Sequence, residues 1–411
     1  MRTPPLPEAG FLLLAAAAPL FAADSVVTFN EIHYHPVDEL NQTEWVELHN
    51  LMGVNVDLSG WRLAGGVDYR FADGTVIPGH GFMVVAADPN DPTLAGVGAL
   101  GPFTGRLANG GETIRLVNNS ERTMDLLNYG DSGDWPVGPD GLGPTLAKRD
   151  GNSAEARPFN WVSSEQVGGT PGVANFSRAG APAPDLVISE IASAGDPNFR
   201  MEIANVGTSA IDLDGYELRF SSGATQALPT VVLEPDEYHV IAPSFAPAAG
   251  DRLALFRPGG AELADARAVT NRLRGLSGDR WLYPKAPSFG GPNPFEFETD
   301  IVINEVMYNP FPIRDPVFRR SDEQWIELFN KGDAEVDLSG WRFDDGIDFE
   351  FAEGTVLGAG DYLVIARDAA VLAARFPDLA IAGEWNGSLS RKGERLRLID
   401  GNRNPVDEVR Y

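Results

Sequence analysis

The chain has 411 residues, a formal net charge of −27 and no cysteine. This length is enough for about two to four domains, each able to bury a core of its own. The negative charge disfavours nucleic acid and anionic membrane surfaces as partners, because both are themselves negative. The absence of cysteine excludes disulfides, thiolate metal sites and cysteine nucleophiles, and the 45 Gly and 31 Pro favour many short strands over long helices.

Residues 1–23 are predicted to be a signal peptide. Arg2 gives a positive start, 11–18 forms a short apolar core, and the small residue Ala23 precedes Asp24. The apolar run is too short to span a bilayer, and no later segment is apolar enough to do so. We therefore expect an exported protein, periplasmic, cell-surface or extracellular, with no transmembrane segment in the mature chain. The alternative is a disordered N-terminal tail.

The rest of the sequence repeats one ordered set of landmarks three times. Each repeat begins with an apolar strand that carries a glutamate, followed by a second strand with another glutamate and an asparagine. The first glutamates are Glu31, Glu190 and Glu305, and the second are Glu47, Glu202 and Glu327. The asparagines are Asn50, Asn205 and Asn330, and the turns that follow begin at Asp57, Asp212 and Asp337. Further strands lead to a final aspartate: Asp125, Asp265 and Asp407.

Polar and apolar residues alternate in 112–116 and 394–398, which predicts strands with one wet face and one buried face. Phe82–Ala86 is apolar throughout, so we expect a central strand that is covered on both faces. Helical periodicity is confined to 369–376. Several short alternating strands per repeat, separated by Gly, Asp, Asn and Ser, predict a two-sheet antiparallel sandwich.

Tryptophans and turns give repeats one and three a distinctive signature. Its residues are Trp45, Asp57, Gly60 and Trp61 in repeat one and Trp325, Asp337, Gly340 and Trp341 in repeat three. Asp and Ser bond nearby backbone amides, Gly supplies a positive φ, and the Trp starts the next strand and covers the edge of the core. We therefore interpret these residues as structural rather than ligand-binding.

This signature resembles the lamin tail domain family, an immunoglobulin-like β-sandwich found at the tail of nuclear lamins and in many exported bacterial proteins. In repeat two, Phe199 and Tyr216 replace the tryptophans, so that copy is the most divergent. The resemblance implies an all-β chain of three tandem immunoglobulin-like antiparallel β-sandwich domains. It implies no enzymatic activity of the domain itself, although bacterial members often lie beside kinase-like or nuclease domains.

The repeats and their connections predict the domain boundaries. We expect domains at 24–176, 186–290 and 300–411, with a Pro/Ala linker at 177–185 and a second linker at 291–299. Tyr411 aligns with Tyr129, and repeat one continues from there to Gly172. The third domain is therefore expected to be C-terminally incomplete.

Three histidines of repeat one are candidates for a zinc site. His33 and His35 alternate on one face of a strand, and His49 lies in the next strand. The other repeats have no histidine at the matching positions, which favours the alternative of ordinary strand histidines.

The paired glutamates are the other candidates, since paired carboxylates bind Ca²⁺ or act as acid and base. A role that every repeat shares is more often a role in the fold, such as accepting hydrogen bonds from loop amides. No nucleophile elbow, phosphate loop, zincin helix or dinucleotide fingerprint occurs. We therefore predict no catalytic residue and no cofactor except, as a candidate, Ca²⁺ at Glu31, Glu47, Glu190, Glu202, Glu305 and Glu327.

The function expected from these features is that of a non-catalytic, exported binding or scaffolding protein. Its partner would be a protein or an envelope glycan, bound through repeated weak sites. One alternative is an accessory N-terminal region of a larger exported enzyme with its catalytic part beyond Tyr411. Another is that the domains themselves hydrolyse a substrate, with Glu47 as the acting residue.

Overall fold

The computed structural model describes residues 26–38, 43–153, 156–176, 181, 183–312 and 321–411. Strands make up nearly all of the regular structure in these ranges, which confirms the all-β class. The chain divides into two compact units. The first holds repeat one with Leu213–Val231 and Arg252–Ala268, and the second holds Leu186–Asp212, Val232–Asp251 and Val269–Tyr411. The predicted signal peptide and most of the predicted linker 177–185 lie outside the described residues.

Short strands joined by tight turns build repeat one. The strands are β1 Val27–His33, β2 Trp45–Asn50, β3 Val56–Asp57, β4 Arg62–Ala64, β5 Val67–Arg70, β6 Val76–Ile77, β7 Phe82–Ala86, β8 Thr104–Gly105, β9 Gly111–Val117, β10 Thr123–Gly130, β11 Pro144–Lys148 and β12 Trp161–Val167. Two 3₁₀ helices lie at Pro92–Leu94 and Pro158–Asn160.

Two five-stranded sheets pack face to face in repeat one, in the orders β12-β11-β1-β2-β7 and β10-β9-β4-β5-β8. Val46 and Leu48 of the first sheet meet Ile114 and Leu116 of the second in one core cluster. Arg115, between the last two, is exposed. The strand predicted from the alternation in 112–116 therefore has one solvent-facing side and one buried side, as expected.

The apolar strand Phe82–Ala86 is covered on both faces, but it is not central. β7 is the last strand of its sheet in repeat one. Val85 belongs to the main core, and Val84 packs with Trp45 and Leu94 in a second cluster on the outside. The expectation of a central strand was wrong because the chain segment after the strand, rather than a further layer of structure, supplies the outer cover.

The chain between repeats one and three contributes strands to both units. Those in the first unit are β16 Glu217–Phe220, β17 Thr225–Ala227, β20 Arg252–Phe256 and β21 Leu263–Ala268, in the sheet order β17-β16-β20-β21. Those in the second unit are β13 Leu186–Ile191, β14 Met201–Asn205, β15 Ile211–Asp212, β18 Val232–Leu233, β19 Tyr238–Ile241, β22 Arg274–Ser277 and β23 Arg280–Leu282. Five of these form a sheet in the order β19-β14-β13-β22-β23.

Repeat three is a second sandwich. Its elements are β24 Ile301–Met307, β25 Trp325–Asn330, β26 Val336–Asp337, β27 Arg342–Asp345, β28 Phe349–Glu350, β29 Val356–Leu357, β30 Tyr362–Ala366, α1 Ala369–Arg375, β31 Ile381–Glu384, β32 Arg395–Ile399 and β33 Pro405–Arg410. The sheets β24-β25-β30-β31 and β28-β27-β32-β33 share one core. α1 confirms the helix expected at 369–376, and no helix of the described residues is long and apolar enough to cross a membrane.

One irregularity recurs in the first strand of every repeat. The pairing of β1 with β2 shifts around Asn30, which is therefore an extra residue in the strand. Ser189 of β13 and Asn304 of β24 occupy equivalent bulges. Next to the first bulge, the N–H of Phe29 donates to Asp125 Oδ2 on the opposite sheet at 2.8 Å. The final aspartate of the repeat thus joins the two sheets at the bulge.

We expect Asp125→Ala to loosen this bulge. The substitution leaves the buried N–H of Phe29 without its acceptor, a loss of about 1–3 kcal/mol. Hydrogen–deuterium exchange of 27–33, measured by mass spectrometry, should become faster than in the parent protein. The matched change Asp407→Ala removes the acceptor of Ile303, which lies in a partly exposed site, and should have a smaller effect. Unchanged protection of 27–33 would contradict this role.

Candidate functional site

The glutamate pairs lie side by side on the first two strands of each repeat. In the antiparallel pairing, Glu31 is directly opposite Glu47, Glu190 is opposite Glu202 and Glu305 is opposite Glu327. Like charges in directly opposite positions destabilise a sheet unless other groups compensate for them. The surroundings of each pair therefore decide what the pair can do.

Glu31 is fully buried beneath the segment that closes repeat one. Its Oε2 accepts hydrogen bonds from the main-chain N–H of Thr170 at 3.1 Å and from the Thr170 hydroxyl at 3.0 Å. The hydroxyl of Thr145 on β11 donates to the other oxygen. Burial raises the pKa of Glu31 to about 7, because removal from water disfavours the charged form more than these donors favour it.

Glu47 meets the same closing segment two residues further along. Its Oε2 accepts from the N–H of Gly172 at 2.5 Å, and its Oε1 accepts from Nδ2 of the bulge residue Asn30 at 2.7 Å. Burial and, to a smaller extent, the neighbouring Glu31 together raise the pKa of Glu47 to about 8. Because each carboxylate affects the other, the two groups titrate as a pair, and both lose their protons at a higher pH than an ordinary glutamate.

Repeat two builds the same closure from different residues. The N–H of Ser288 donates to Glu190 Oε1 at 2.9 Å, and the N–H of Gly290 donates to Glu202. The hydroxyl of the bulge residue Ser189 donates to Glu202 Oε1 at 2.7 Å. Burial raises the pKa of Glu190 to about 7 and also raises that of Glu202. In both repeats, main-chain N–H groups of a later segment therefore donate to the two facing glutamates, although the residues of that segment differ.

The two closing segments share a spacing that the sequence analysis missed. Thr170, Gly172 and Asn175 of repeat one match Ser288, Gly290 and Asn293 of repeat two. We name this pattern, Ser/Thr-x-Gly-x-x-Asn, the closing motif. Its asparagine donates to the main-chain carbonyl of the bulge residue, at 3.0 Å in repeat one and 2.8 Å in repeat two. The comparison of landmarks ended at the final aspartates, and an alignment of 170–175 with 288–293 would have found the motif.

The glutamate pair of repeat three is open to solvent. Glu305 is exposed and Glu327 is half-buried. The bulge residue Asn304 donates to Glu327 Oε1 at 2.8 Å, as Asn30 does to Glu47. Within the described part of repeat three, no main-chain N–H donates to either carboxylate.

The closed pairs are poorly suited to a cation. Calcium needs six to eight oxygen ligands, whereas the groups around Glu31 and Glu47 are N–H and O–H donors. Across the ranges that the structure describes, no group of three or more His, Asp or Glu side chains is placed to hold a metal ion. Calcium binding at the exposed Glu305 and Glu327 stays a prediction.

The three histidines of repeat one do not form a common site. The pairing of β1 with β2 puts His33 opposite Trp45 and His49 opposite Thr28, near the two ends of the ladder. The Nδ1 atom of His35 lies 2.5 Å from an aspartate carboxylate, while that of His49 lies 2.8 Å from a main-chain carbonyl. His33 and His49 are thus separated along the length of the β1–β2 ladder, which agrees with the alternative of ordinary strand histidines.

The signature tryptophans pack into apolar clusters of their own repeats. Trp61 and Trp341 belong to the main cores of repeats one and three. Trp45 and Trp325 pack on the outer side of their sheets, in smaller apolar clusters. In these positions the large rings contribute apolar contact area to the fold.

The signature turns bind their own backbone. The hydroxyl and the N–H of Ser59 both donate to Asp57 Oδ1, the N–H at 2.8 Å, and they hold the pKa of Asp57 below its usual range. Gly60 has a φ of 72°, and Gly340 has one of 70°. Asp337 accepts the equivalent N–H at 2.9 Å.

The fold and these sites define an immunoglobulin-like β-sandwich protein. The Lamin Tail Domain family profile matches residues 21–131 and 297–411, which together are more than half of the chain. The chain therefore belongs to the lamin tail domain family, as the resemblance of repeats one and three implied.

No curated protein matches the chain. Among solved structures, the crystal structure of Amycolatopsis orientalis exo-chitosanase CsxA is 11% identical over 54% of this chain, with a TM-score of 0.15. The match spans 26% of that chain, about a quarter of its length. A likeness of this size carries no argument on fold or function.

The pKa shifts predict that closure of repeat one depends on pH. The folded-state values of Glu31 and Glu47, about 7 and about 8, lie above the ordinary 4.5. Their contribution to stability is fully present below pH 4.5 and is lost as the pH rises through these values, by an amount on the order of a few kcal/mol. Hydrogen exchange of 168–172, corrected for the intrinsic effect of pH, should become faster as the pH rises.

Two glutamine variants provide the control for this pH experiment. Glu47→Gln removes one titrating group and should flatten the pH dependence of exchange. Glu327→Gln, the matched change at the open pair, should leave it as in the parent. Protection of 168–172 that stays constant between pH 4.5 and about 8 would refute the shifts.

Proposed function

We propose that the chain is a non-catalytic scaffold, exported from a bacterial cell and built from three lamin-tail-like repeats. Repeat two, which lies between the two matched segments, is the divergent third copy. The facing glutamates, the bulge at Ser189 and the closing motif at 288–293 support this assignment. Asn205 supports it as well, because its amide donates to a carbonyl four residues on and to that of Leu233 in β18 and accepts one N–H. The amide of Asn50 makes the equivalent bonds, including one to Ile77 in β6.

The observation that carries the scaffold role is a contact inside the first unit. Leu142 of repeat one packs in one apolar cluster with Phe256 of β20 and Leu263 of β21. Beside it, the N–H of Val167 donates to the carbonyl of Ala261 at 2.9 Å. Folded segments that share apolar contacts and main-chain bonds keep a more constant spacing than segments joined by a linker alone.

An ion pair lies next to this cluster. Arg252 Nη1 is 2.5 Å from Asp140 Oδ2, and the same carboxylate group contacts His35 through its other oxygen. Asp140 is buried, so removal of its partner leaves a charge with less compensation. Domains that move independently would not keep such a contact. Its presence therefore favours a spacer in which the distance between the contacting segments is fixed.

The closed glutamates favour a role without catalysis. Raised pKa values are typical of acid–base sites, and Glu31 and Glu47 have them. However, both side chains have 0% exposure, so a substrate would have to displace the closing motif before reaching either carboxylate. We propose instead that contacts with a protein or an envelope glycan occur at strand edges and loop tips.

Arg252→Glu tests the fixed spacing. It places a second carboxylate beside Asp140, and we expect a loss of about 1–3 kcal/mol in the contact, reduced by the partial exposure of Arg252. Hydrogen exchange should become faster in 139–142 and 252–256, and small-angle scattering should show a broader distribution of sizes. Arg115→Glu makes the same charge change at an exposed strand position and should do neither. If both variants behave alike, the spacer role loses its support.

Export can be tested with the full chain in a Gram-negative host. We expect the protein in the periplasm or medium, with Asp24 as its first residue. Leu13→Arg interrupts the apolar core of the predicted signal peptide and should retain the protein in the cytoplasm. Cytoplasmic protein that still begins with Met1 in the parent would argue against export while leaving the scaffold role to be judged by Arg252→Glu.

A further inference from the structure

Basic side chains of repeat two gather at one end of its sheet β19-β14-β13-β22-β23. Ile191 at the end of β13 pairs with both Met201 and Arg274, and the end of β23 lies beside the start of β22. The connections 192–200, 269–273 and 283–289 therefore meet at this end. Four cations lie in these connections or next to them: Arg200, Arg272, Arg274 and Lys285. In a chain with a net charge of −27, they form a local concentration of positive charge.

An open cleft of about 370 Å³ lies among these connections. Its lining includes Arg272, Lys285, Asn271 and Ser193, with apolar surface from Phe289 and Pro287. Asp196 is the carboxylate of the lining, and its Oδ1 accepts the N–H of Asn198 in its own loop at 2.8 Å. Ligand sites in proteins have volumes of about 300–1,000 Å³ and combine apolar surface with a few polar groups. The cleft has this size and composition.

Arg272 is held against an aromatic ring without a carboxylate partner. Its guanidinium carbon lies 4.6 Å from the ring centroid of Tyr283, and that of Arg274 lies 4.2 Å from the same ring. Arg274 also donates to the Tyr283 hydroxyl at 3.2 Å. Among the described residues, by contrast, no acceptor is hydrogen-bonded to the guanidinium of Arg272. Its N–H groups are therefore available to an anion, which a guanidinium binds through two parallel hydrogen bonds.

The neighbouring cations are paired only weakly. Lys285 Nζ lies 3.6 Å from a carboxylate oxygen of Glu296, but both side chains are well exposed, and such pairs contribute little. Arg200 is exposed and stacks on Phe289, with 4.8 Å between its guanidinium carbon and the ring centroid. The cleft thus presents positive charge that the described residues neutralise only in part.

The sandwich fold does not require this charge. Leu146 of repeat one takes the place of Arg274, since it pairs with Ile32 as Arg274 pairs with Ile191. Leu146 is buried in the main core, whereas Arg274 is half-buried. A buried apolar residue serves the same place in repeat one, so the basic end of repeat two has another purpose.

We propose that this end of repeat two binds an acidic saccharide, a sugar chain that carries carboxylate, phosphate or sulfate groups. Arg272 donates to the anionic group, and Lys285 adds positive charge beside it. Asn271 and Ser193 offer an amide and a hydroxyl to the hydroxyl groups of the sugar. Phe289 provides apolar contact area for the sugar ring.

A saccharide fits this cleft better than a peptide does. Extended peptides bind by adding a strand to an open sheet edge, whereas side chains of connecting loops line this cleft. A sugar also uses the amide and hydroxyl groups of the lining, which an acidic side chain leaves unpaired. The net negative charge of the chain does not prevent binding, because charges more than about 8 Å away are largely screened at physiological ionic strength.

Two labelled probes test the site: a hexagalacturonide, whose sugars carry carboxylates, and a heparin-derived hexasaccharide, which also carries sulfates. Fluorescence anisotropy with the full chain should show saturable binding of at least one of them. Arg272→Gln removes the charge and should weaken binding on the order of tenfold. Lys285→Gln, at an exposed position, should weaken it severalfold. Arg280→Gln makes the same change at the opposite end of the sheet, also exposed, and should leave binding unchanged.

Two further ligands separate recognition of charge from recognition of sugar. The methyl-esterified hexagalacturonide keeps the sugars without the charge, and hexaglutamate keeps the charge without the sugars. Each should bind on the order of tenfold more weakly than the acidic saccharide. Hydrogen exchange with the saccharide bound should slow in 192–200 and 269–273 and stay unchanged in 301–307.

Three results would each overturn the proposal. They are no binding of either acidic probe at about millimolar concentration, equal affinity of Arg272→Gln and Arg280→Gln, and hexaglutamate binding as tight as that of the saccharides. The inference names the class of glycan that the proposed scaffold contacts and rests on it only in that respect. Saccharide binding can fail while the contact at Arg252 stands, so the two failures are distinguishable.

Discussion

Two carboxylates placed directly opposite each other near the start of a repeat are the constraint on which the rest of that repeat depends. They repel each other, and burial makes their charged forms less favourable still, as the raised pKa values of Glu31 and Glu47 show. Such a pair persists inside a fold only where donors are brought to it. Thr170, 139 positions further along the chain, donates to Glu31, so the last segment of repeat one is hydrogen-bonded to its first strand.

The same facing glutamates occur in a covered form in repeats one and two and in an uncovered form in the described part of repeat three. Where the closing motif covers the glutamates, every donor is supplied by the chain and the pair contributes to folding. At Glu305 and Glu327, within the described part of repeat three, no main-chain N–H donates to the carboxylates, and both side chains are at least partly exposed. The bulge residue links the cases, since Asn30 and Asn304 bind the second glutamate in the same way.

Patterns of short range predicted much of this fold. Alternation in 112–116 indicated a strand with one buried face, and the weak helical period at 369–376 corresponds to α1. These inferences succeeded because side-chain direction along a strand or helix depends on local geometry. The position of the apolar strand Phe82–Ala86 was misread because the place of a strand in its sheet depends on which strands pair with it, and not on its own composition.

The sequence by itself determined the repeated landmarks, the all-β class, the family resemblance of repeats one and three and the importance of the glutamate pairs, because each is written in residue type and spacing. Only the tertiary structure decided what those glutamates do. Their pKa values and exposure depend on whether Thr170 or Ser288 reaches them from a distant part of the chain. Such contacts join residues that no local period connects, and desolvation, which dominates the pKa shifts, exists only once the strands are covered.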